Sequence, residues 1–475
     1  MKMNKKFVQS LILILCVAVF VVLTCLNING SIWFDESYTA YIIRGDFGEI
    51  WRMTAIDVHP PLYYFFLKAW SLIFGNSVVG LRTMSVFFGA IAVILAFCLV
   101  KKLFGAKTAG IATLAMSVSP LLLRYAAEMR MYTMVLAVVL AASVILVEAI
   151  RREKTGWWIG YGALVSLGMW THYFTALIWI AQLAYLIYIY RNKIWQKNII
   201  LAYMVAILLW LPWLPCFVKQ FMDVEGGFWV SAISLVTPVD YLSESLFFVS
   251  ASAANGWLMI VMSALLLIGG YYGTRWAKQE QKESIFLIMM VFLPPILLIL
   301  LSLPPMTPLF VSRYVTYSAV MLWMLMGVIL AKMEGKKINK VLLAVVILIC
   351  GMVGGYNVVR RPEPSDVRGL IAAIAEKSDG EIVAATESIY LDAIVYSNDE
   401  NPVYGVDEFY QYGWGSLAPI REYRYQVVNK IDELPRTESF WWLADKGGIA
   451  IPDGYVVVEQ IEGTGNVALK LQKSS

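Results

Sequence analysis

The chain has 475 residues, of which 59% are hydrophobic and 15% are charged, and its mean hydropathy is +0.67. This composition excludes a soluble globular protein and predicts a polytopic α-helical membrane protein. The formal net charge is only +4 and the basic residues are spread among short loops, so nucleic acid is not an expected partner. The five cysteines lie in or beside apolar runs without CxxC spacing, which indicates neither a disulfide framework nor a zinc site.

About eleven apolar runs are long enough to be transmembrane helices. They lie near residues 8–27, 80–100, 108–123, 131–150, 157–171, 173–190, 198–216, 256–273, 285–303, 314–331 and 340–357. Lysine and arginine cluster in every second connection, so the positive-inside rule places these connections and the N-terminus in the cytoplasm. The odd number of helices then places the C-terminus outside the cell membrane. The first run lacks a cleavage signal and is predicted to be a retained span.

Two connections on the predicted external side are long. The first, residues 28–79, carries aromatic stripes at near-helical spacing over 36–50 and 62–74, which predict amphipathic helices lying along the membrane interface. The second, residues 217–255, contains Gly226-Gly227 and a predicted short helix after Pro238. Its glycines are compatible with a flexible lid and equally with an ordinary turn.

The composition changes after the last apolar run, so residues 1–357 are predicted to form a membrane module and residues 358–475 a small external α/β domain. A proline-containing linker over 360–365 joins the two parts. The tail pattern predicts a helix over 365–377 and short strands over 381–386, 402–406, 440–444, 455–461 and 467–471. The tail has no histidine, no cysteine and no glycine-rich phosphate loop, which favours a docking or acceptor-binding role over chemistry.

The first external loop carries the first candidate site residues, Asp35, Glu36, Asp57 and His59. Ionisable groups at a membrane edge are costly and usually functional, and partly dry surroundings adjust the pKa of a general base. Asp35 is alternatively a helix N-cap with Glu36 at the positive end of the dipole, and Asp57 a cap of the helix that Pro60-Pro61 introduces. For His59, one of only two histidines, a contact with an anionic group is favoured.

Two further motifs lie on the same predicted side. In the stretch 124–132, Arg124 and Glu128 have the spacing of a helical ion pair, whereas Arg130 and Tyr132 have no such local partner. Ser312-Arg313-Tyr314 follows a proline-rich loop, and its arginine is equally compatible with snorkelling to lipid headgroups and with binding phosphate. Arg82 has the same two interpretations. His172, a lone histidine among aromatic residues, is predicted to be structural.

Four segments together resemble the GT-C glycosyltransferases, in the branch that contains the protein O-mannosyltransferases and the aminoarabinose transferases of lipid A. The segments are Asp35-Glu36, His59-Pro60-Pro61-Leu62-Tyr63-Tyr64, Glu128-Met129-Arg130-Met131-Tyr132 and Ser312-Arg313-Tyr314. The resemblance covers roughly residues 1–330, and it rests on the order and shared side of the motifs. A histidine before the two prolines is similar to the O-mannosyltransferase pattern.

The resemblance implies a polyprenyl-phosphate sugar donor, an acceptor hydroxyl on a lipid, glycan or protein, and inversion at the anomeric carbon on the extracytoplasmic side. It implies that Asp35 is the general base. An oxocarbenium-like transition state with a departing phosphate needs an acid on one side and cations on the other, which fits Arg130 and Arg313 as phosphate contacts. The predicted substrate-binding residues are Glu36, Asp57, His59, Glu128, Arg130, Tyr132, Arg313 and Tyr314.

No metal or other cofactor is predicted, because the arginines can neutralise the phosphate. A divalent metal held by Asp35, Asp57 and His59 is the alternative, since carboxylate oxygen and imidazole nitrogen suit such an ion. The main rival function is a transporter or flippase of a polyprenyl-linked lipid, for which internal repeats and charges near the midplane are expected and not found. An assembly scaffold ranks last, because it needs fewer helices.

Overall fold

The computed structural model of the chain describes residues 4–191, 196–225, 230–334, 336–360, 366–377, 380–397, 401–410, 417–448 and 450–474. The backbone divides into two compact units. The membrane unit consists of Met1–Ile28 and Phe74–Arg361. The other unit, named the external unit after the side that the sequence predicts for it, consists of Asn29–Ile73 and Pro362–Ser475. Residues 29–73, assigned from the sequence to the membrane module, therefore group with the tail.

The membrane unit is built from helices, which are numbered here along the whole chain. They are α1 (Lys5–Cys25), α5 (Val78–Phe104), α6 (Ala106–Ser117), α7 (Pro120–Ala126), α8 (Tyr132–Arg152), α9 (Thr155–Thr171), α10 (Thr175–Tyr190), α11 (Lys197–Trp210), α12 (Leu214–Glu225), α13 (Thr237–Phe247), α14 (Gly256–Gln279), α15 (Gln281–Leu300), α16 (Thr316–Lys332) and α17 (Lys337–Val359). Every predicted apolar run overlaps at least one of these helices.

Within the described residues, eight helices are long and apolar enough to cross a membrane, or nine if the bent pair of α6 and α7 is one span. This confirms a multi-pass membrane protein but not the predicted count of about eleven. The difference lies in α9 and α10, which coincide with predicted runs but have 17 and 16 residues. A span normally needs about 20 residues.

The predicted run 108–123 is broken into α6 and α7, which are bent by 62°. Pro120 is the first residue of α7, and Ser119 before it has extended backbone angles. Proline disfavours helical geometry in the preceding residue, so the break follows from the local sequence. The bend sets the direction of α7, which carries Arg124.

Two glycines allow helices of the membrane unit to approach closely. A Cβ atom at Gly162 of α9 would lie 2.1 Å from the backbone oxygen of Ala202 in α11, and one at Gly327 of α16 would lie 2.5 Å from Cα of Ala112 in α6. Small residues at such crossings bring backbones into contact, which is the usual way in which membrane helices gain packing energy.

The second long loop contains α13, which confirms the predicted short helix after Pro238. Pro238 lies in the first turn, where its missing N–H costs nothing. The run predicted over 198–216 continues further, through α11, a 3₁₀ turn at Leu211–Trp213 and α12. The predicted lid or turn at Gly226-Gly227 lies outside the described residues.

The external unit contains one six-stranded sheet, which confirms a small α/β domain in the tail. Its strands are β1 (Ile382–Ala384), β2 (Val403–Val406), β3 (Val427–Val428), β4 (Ser439–Asp445), β5 (Tyr455–Glu462) and β6 (Asn466–Lys473), in the order β3-β2-β1-β4-β6-β5. Strands β3, β2, β1 and β4 are parallel, and β6 and β5 continue the sheet antiparallel. Phe440, Trp442, Leu469 and Leu471 lie in its core.

Three helices of the tail accompany this sheet: α18 (Val367–Glu376), α19 (Glu387–Tyr396) and α20 (Ala418–Tyr423). The five predicted strands and the predicted helix α18 are present. Asp366 caps α18 by accepting a hydrogen bond from the Gly369 amide. Helix α19 was not predicted. It packs on the sheet and on the first external loop, so its apolar residues do not form the single stripe that identifies a surface helix.

The first external loop forms α2 (Phe34–Ile42), α3 (Phe47–Ala55) and α4 (Leu62–Phe74). The predicted single helix over 36–50 is wrong, because two helices share this stretch. Asp46 interrupts it by accepting a hydrogen bond from the Glu49 amide, while the Glu49 carboxylate accepts one from the Asp46 amide. This capping box starts a new helix at Phe47.

Candidate active site

Helix α2 carries Asp35 and Glu36 in its first turn, where carboxylates favour the positive end of the helix dipole. The N-cap position is occupied by Trp33, so the alternative of Asp35 as N-cap is wrong. The backbone oxygen of Asp35 accepts a hydrogen bond from the Thr39 hydroxyl, at 2.7 Å. Glu36 is completely buried.

Asp57 and His59 form a pair just before α4. The distance from His59 Nδ1 to Asp57 Oδ2 is 2.9 Å, with the Asp57 side chain fully buried and the His59 side chain 18% exposed. Helix α4 begins at Leu62. Asp57 therefore contacts His59 and does not cap this helix. Because Nδ1 faces Asp57, a hydrogen bond from His59 to an anionic group has to come from Nε2.

The metal alternative gains no geometric support. No three histidine, cysteine, aspartate or glutamate side chains within the described ranges are grouped so that they could hold a metal ion. Asp35, Asp57 and His59 therefore do not converge as a three-ligand set. Whether the protein depends on a metal stays a prediction.

In the membrane unit, the stretch between α7 and α8 carries the second motif. Arg124 Nη2 and Glu128 Oε1 form the ion pair that their spacing predicted, with Glu128 completely buried. Arg130 is 2% exposed, and its backbone amide donates to the Glu128 carbonyl at 2.9 Å. The Arg130 carbonyl accepts from the Ser85 hydroxyl of α5 at 3.4 Å. The turn is thus held by side chains and backbone groups together.

An aromatic cluster, defined by Tyr125, Tyr132, His172, Phe174 and Tyr314, joins the second motif to the third. The ring centroids of Tyr125 and Tyr132 are 4.5 Å apart, those of Tyr132 and His172 are 6.0 Å apart, and those of His172 and Tyr314 are 5.7 Å apart. Phe174 stacks on Tyr314 at 4.5 Å. The cluster brings together residues that lie far apart in the chain.

Arg313 lies at one end of the aromatic cluster. Its guanidinium carbon is 5.7 Å from the Tyr314 ring centroid, a cation–π distance, and its charge acts on the Tyr125 hydroxyl, as do those of Arg124 and Glu128. The second and third motifs therefore share one electrostatic environment. His172, predicted to be structural, contacts Tyr132 of the second motif and Tyr314 of the third. Sequence reasoning missed this double contact.

Glu244 of α13 is a further residue that the motifs did not indicate. Its carboxylate accepts a hydrogen bond from the hydroxyl of Ser312, the neighbour of Arg313. Burial raises the pKa of Glu244 above its usual value, the Ser312 hydrogen bond counteracts this, and the charge of Asp240 adds to it. The second external loop thus contacts the third motif.

Arg82 is buried, and its Nη1 donates to the Ile28 carbonyl at 2.8 Å. Snorkelling of Arg82 to headgroups is therefore wrong. The structure brings Asp57 together with His59 in the external unit, and Glu128, Tyr132, Arg313 and Tyr314 around the aromatic cluster in the membrane unit.

Residues 58–215 match a family model described as dolichyl-phosphate-mannose-protein mannosyltransferase. No curated protein sequence matches the chain. Among solved structures, the chain is similar to ArnT from Cupriavidus metallidurans in the apo state, with a TM-score of 0.63 and 12% identity over 97% of each chain. The same protein bound to undecaprenyl phosphate gives a TM-score of 0.61 and 13% identity over 98% of each chain.

The chain is also similar to the Archaeoglobus fulgidus oligosaccharyltransferase tethered with an acceptor peptide containing the NVT sequon. The TM-score is 0.56 and the identity 13%, over 93% of this chain and 69% of the other. At such identities the similarity establishes the fold. The resemblance deduced from the motifs is confirmed at that level, and it extends through the tail as well as the helices.

Proposed function

We propose that this chain, a multi-pass membrane protein with the GT-C fold, transfers a sugar from a polyprenyl-phosphate donor to an acceptor hydroxyl. The observation that carries the proposal is the similarity over 98% of both chains to a protein whose structure contains undecaprenyl phosphate. The match of residues 58–215 to a mannosyltransferase family model supports the same donor chemistry. The acceptor is a hydroxyl-bearing lipid, glycan or protein.

In the proposed reaction, the bond between the anomeric carbon and the phosphate oxygen breaks while a bond to the acceptor oxygen forms on the opposite face. The acceptor proton passes to the Asp35 carboxylate, and the polyprenyl phosphate departs with the electron pair of the broken bond. Attack on the opposite face inverts the anomeric configuration. A carboxylate near the acceptor and cations near the phosphate match the charges that develop.

The phosphate contacts are assigned to Arg130, Arg313 and His59. Arginine suits this task because its planar fork of N–H donors matches phosphate oxygens and its charge is permanent. The position of Arg313 at the end of the aromatic cluster supports its assignment. The complete burial of Glu36 and Glu128 favours a role in positioning these groups over direct substrate contact.

The reaction is placed on the extracytoplasmic side. Basic residues occupy every second connection between the apolar runs, and the positive-inside rule puts those connections in the cytoplasm. The loop that carries Asp35 and His59 then lies outside, with the C-terminal domain. Accessibility of a single cysteine introduced in the tail to a membrane-impermeant thiol reagent on intact cells tests this orientation, and labelling only after permeabilisation would contradict it.

The activity is tested with membranes that contain the protein and with radiolabelled undecaprenyl-phosphate-linked mannose or aminoarabinose as donor. We expect transfer by the parent chain and a loss of about 10²- to 10⁴-fold in Asp35→Asn, the usual effect of removing a general base. The control is Asp46→Asn, which removes a carboxylate from the same loop. Asp46 caps α3, so transfer should be retained.

Undiminished transfer by Asp35→Asn would remove Asp35 as the base. If the parent moves the labelled lipid across vesicles without transferring its sugar, the transporter alternative replaces the enzyme. The anomeric configuration of the product, measured by the one-bond carbon–proton coupling, tests inversion: a product with the configuration of the donor would contradict it.

A further inference from the structure

Helix α2, which carries the proposed base, is buried along nearly its whole length. Seven of its residues, Glu36 to Ile42, are buried in a helix of nine. A free nine-residue helix is not stable in water, because nucleation is costly and short helices gain too few hydrogen bonds. Its conformation and orientation therefore depend on tertiary contacts.

Within the external unit, α2 packs against α19 of the tail. The Ser37 hydroxyl donates a hydrogen bond to the Asp392 carboxylate, in the middle of α19. One turn further along α2, the Tyr41 ring contacts two tyrosines of the tail, with its centroid 6.3 Å from that of Tyr390 and 5.1 Å from that of Tyr425. Residues four apart share one helix face, so Ser37 and Tyr41 form a single contact surface.

The ends of the same segment are also held by the tail. The Ile32 amide donates to the Tyr396 hydroxyl at 3.3 Å, and the Asn29 carbonyl accepts from Arg368 of α18 at 3.1 Å. The Arg44 guanidinium donates to the Ile394 carbonyl in the last turn of α19. A cation there satisfies one of the terminal carbonyls and interacts favourably with the helix dipole.

The face of α2 that makes these contacts is not the face that carries Asp35. At about 100° per residue, Asp35 and Ser37 point about 200° apart around α2. The contacts at Ser37 and Tyr41 therefore hold α2 by a face that differs from that of Asp35. The tail contacts the segment 29–44 through hydrogen bonds at both ends and through polar and aromatic side chains in the middle. Docking of a partner alone would not require these contacts.

We infer that the C-terminal domain acts as the support of the catalytic loop and that Asp392 is a positioning residue, which fixes α2, and with it Asp35, through Ser37. The inference rests on the proposed function for the role of Asp35, and it adds a supporting role to the docking or acceptor-binding role predicted for the tail. The domain thus contributes to the rate of sugar transfer through the loop that carries the base.

The test uses the full-length protein purified in detergent and measures amide hydrogen exchange in residues 34–42 and, as an internal reference, in β4. A hydrogen bond to a charged group is worth about 1.5–3 kcal/mol, so Asp392→Ala should speed exchange in α2 about ten- to a hundredfold and leave β4 unchanged. Asp392→Asn, which keeps an acceptor oxygen, should restore most of the protection. Ser37→Ala removes the same hydrogen bond from the loop side and should resemble Asp392→Ala.

The matched control is Glu459→Ala, which breaks the Lys377–Glu459 ion pair of the tail and leaves residues 29–73 untouched. It should leave exchange in α2 at the parent value. In transfer assays with the radiolabelled undecaprenyl-phosphate sugar, Asp392→Ala should lower kcat and leave the KM for this donor unchanged, because the base is displaced while the phosphate contacts remain. Asp392→Asn should recover kcat.

Parent-like exchange of α2 in both Asp392→Ala and Ser37→Ala would overturn the inference. If Asp392→Ala also accelerates exchange in β4, this variant destabilises the tail itself. The exchange of α2 in Ser37→Ala then decides whether the inference holds, because Ser37 lies in the loop and not in the tail. Absence of sugar transfer by the parent would remove the proposed function and leave the exchange result standing. If the parent transfers sugar but exchange in α2 is unchanged in the Asp392 and Ser37 variants, the inference is wrong and the proposed function stands.

Discussion

His59 Nδ1 lies 2.9 Å from the fully buried Oδ2 of Asp57. A carboxylate in this position orients an imidazole ring and selects its tautomer, which leaves Nε2 as the nitrogen that faces other groups. The second carboxylate oxygen of Asp57 is buried and has no hydrogen-bond partner among the described residues. The pair therefore behaves as one unit in which Asp57 acts through His59.

From this pairing we expect Asp57→Ala and His59→Ala to lower sugar transfer by similar factors, about ten- to a hundredfold, the worth of a hydrogen bond to a charged group. The double variant should be no worse than either single variant, because coupled residues are not additive. Initial rates with a radiolabelled undecaprenyl-phosphate sugar measure this. Losses that multiply in the double variant would mean that the two residues act separately.

Arg313 is expected to contact the donor phosphate through its planar guanidinium. Arg313→Lys keeps the charge but loses the fork geometry, and the KM for the undecaprenyl-phosphate sugar should rise about tenfold. Arg275→Lys is the matched control, because Arg275 also lies 5.7 Å from a tyrosine ring, that of Tyr271, but outside the aromatic cluster. An unchanged KM in Arg313→Lys would favour the snorkelling alternative.

Gly162 is expected to be required for the packing of α9 on α11. A methyl group there would overlap the Ala202 carbonyl, so Gly162→Ala should lower the free energy of unfolding by about 1–3 kcal/mol. Gly160→Ala in the same helix adds a methyl group whose nearest neighbour is Ile145 Cγ2 at 3.8 Å, an ordinary contact. It should be neutral or stabilising by up to about 1 kcal/mol. Unfolding of both variants in one detergent measures the difference, and equal stability would contradict the close crossing.

Glu244 is expected to make stability depend on pH. Burial raises the pKa of Glu244 in the folded chain above the ordinary 4.5, so below that value both states carry the proton and the cost of burying a charge is absent. As the pH rises, the unfolded chain ionises first, and the folded chain loses stability until the pH passes the folded pKa. Glu244→Gln removes this cost.

The stability gained by Glu244→Gln over the parent should therefore grow as the pH rises above the ordinary carboxyl pKa, and it should level off once the pH passes the folded pKa of Glu244. Thermal unfolding in one detergent at several pH values measures the gain. The control is Glu422→Gln, which removes a carboxylate that is exposed and not buried. A gain for Glu244→Gln that is largest at low pH would contradict the sign of the pKa shift.

Much of the membrane unit follows from local sequence alone. Apolar runs predict spans because each must match the thickness of the bilayer, and a break such as that before Pro120 follows from proline sterics. Five of the six tail strands, all except β3, were likewise predicted from their apolar runs. The number of spans did not follow from the sequence, because α9 and α10 are close to the shortest length that crosses a bilayer.

The candidate site divides in the same way. Asp35, His59, Arg130 and Arg313 were recognisable from residue type, predicted side of the membrane and resemblance to a family. The roles of their neighbours were not recognisable, because His172 and Glu244 acquire theirs from rings and hydroxyls that are remote in the chain.

The sequence by itself determined a multi-pass membrane protein with an α/β tail and four motifs, since hydrophobic length, strand pattern and residue chemistry are local properties. Only the tertiary structure decided that residues 29–73 fold with the tail, that Ser37 meets Asp392, and that Tyr132 and Tyr314 meet across His172. The physical reason is that such contacts depend on which buried faces of distant segments complement each other. Periodicity along one segment carries no information about its partner.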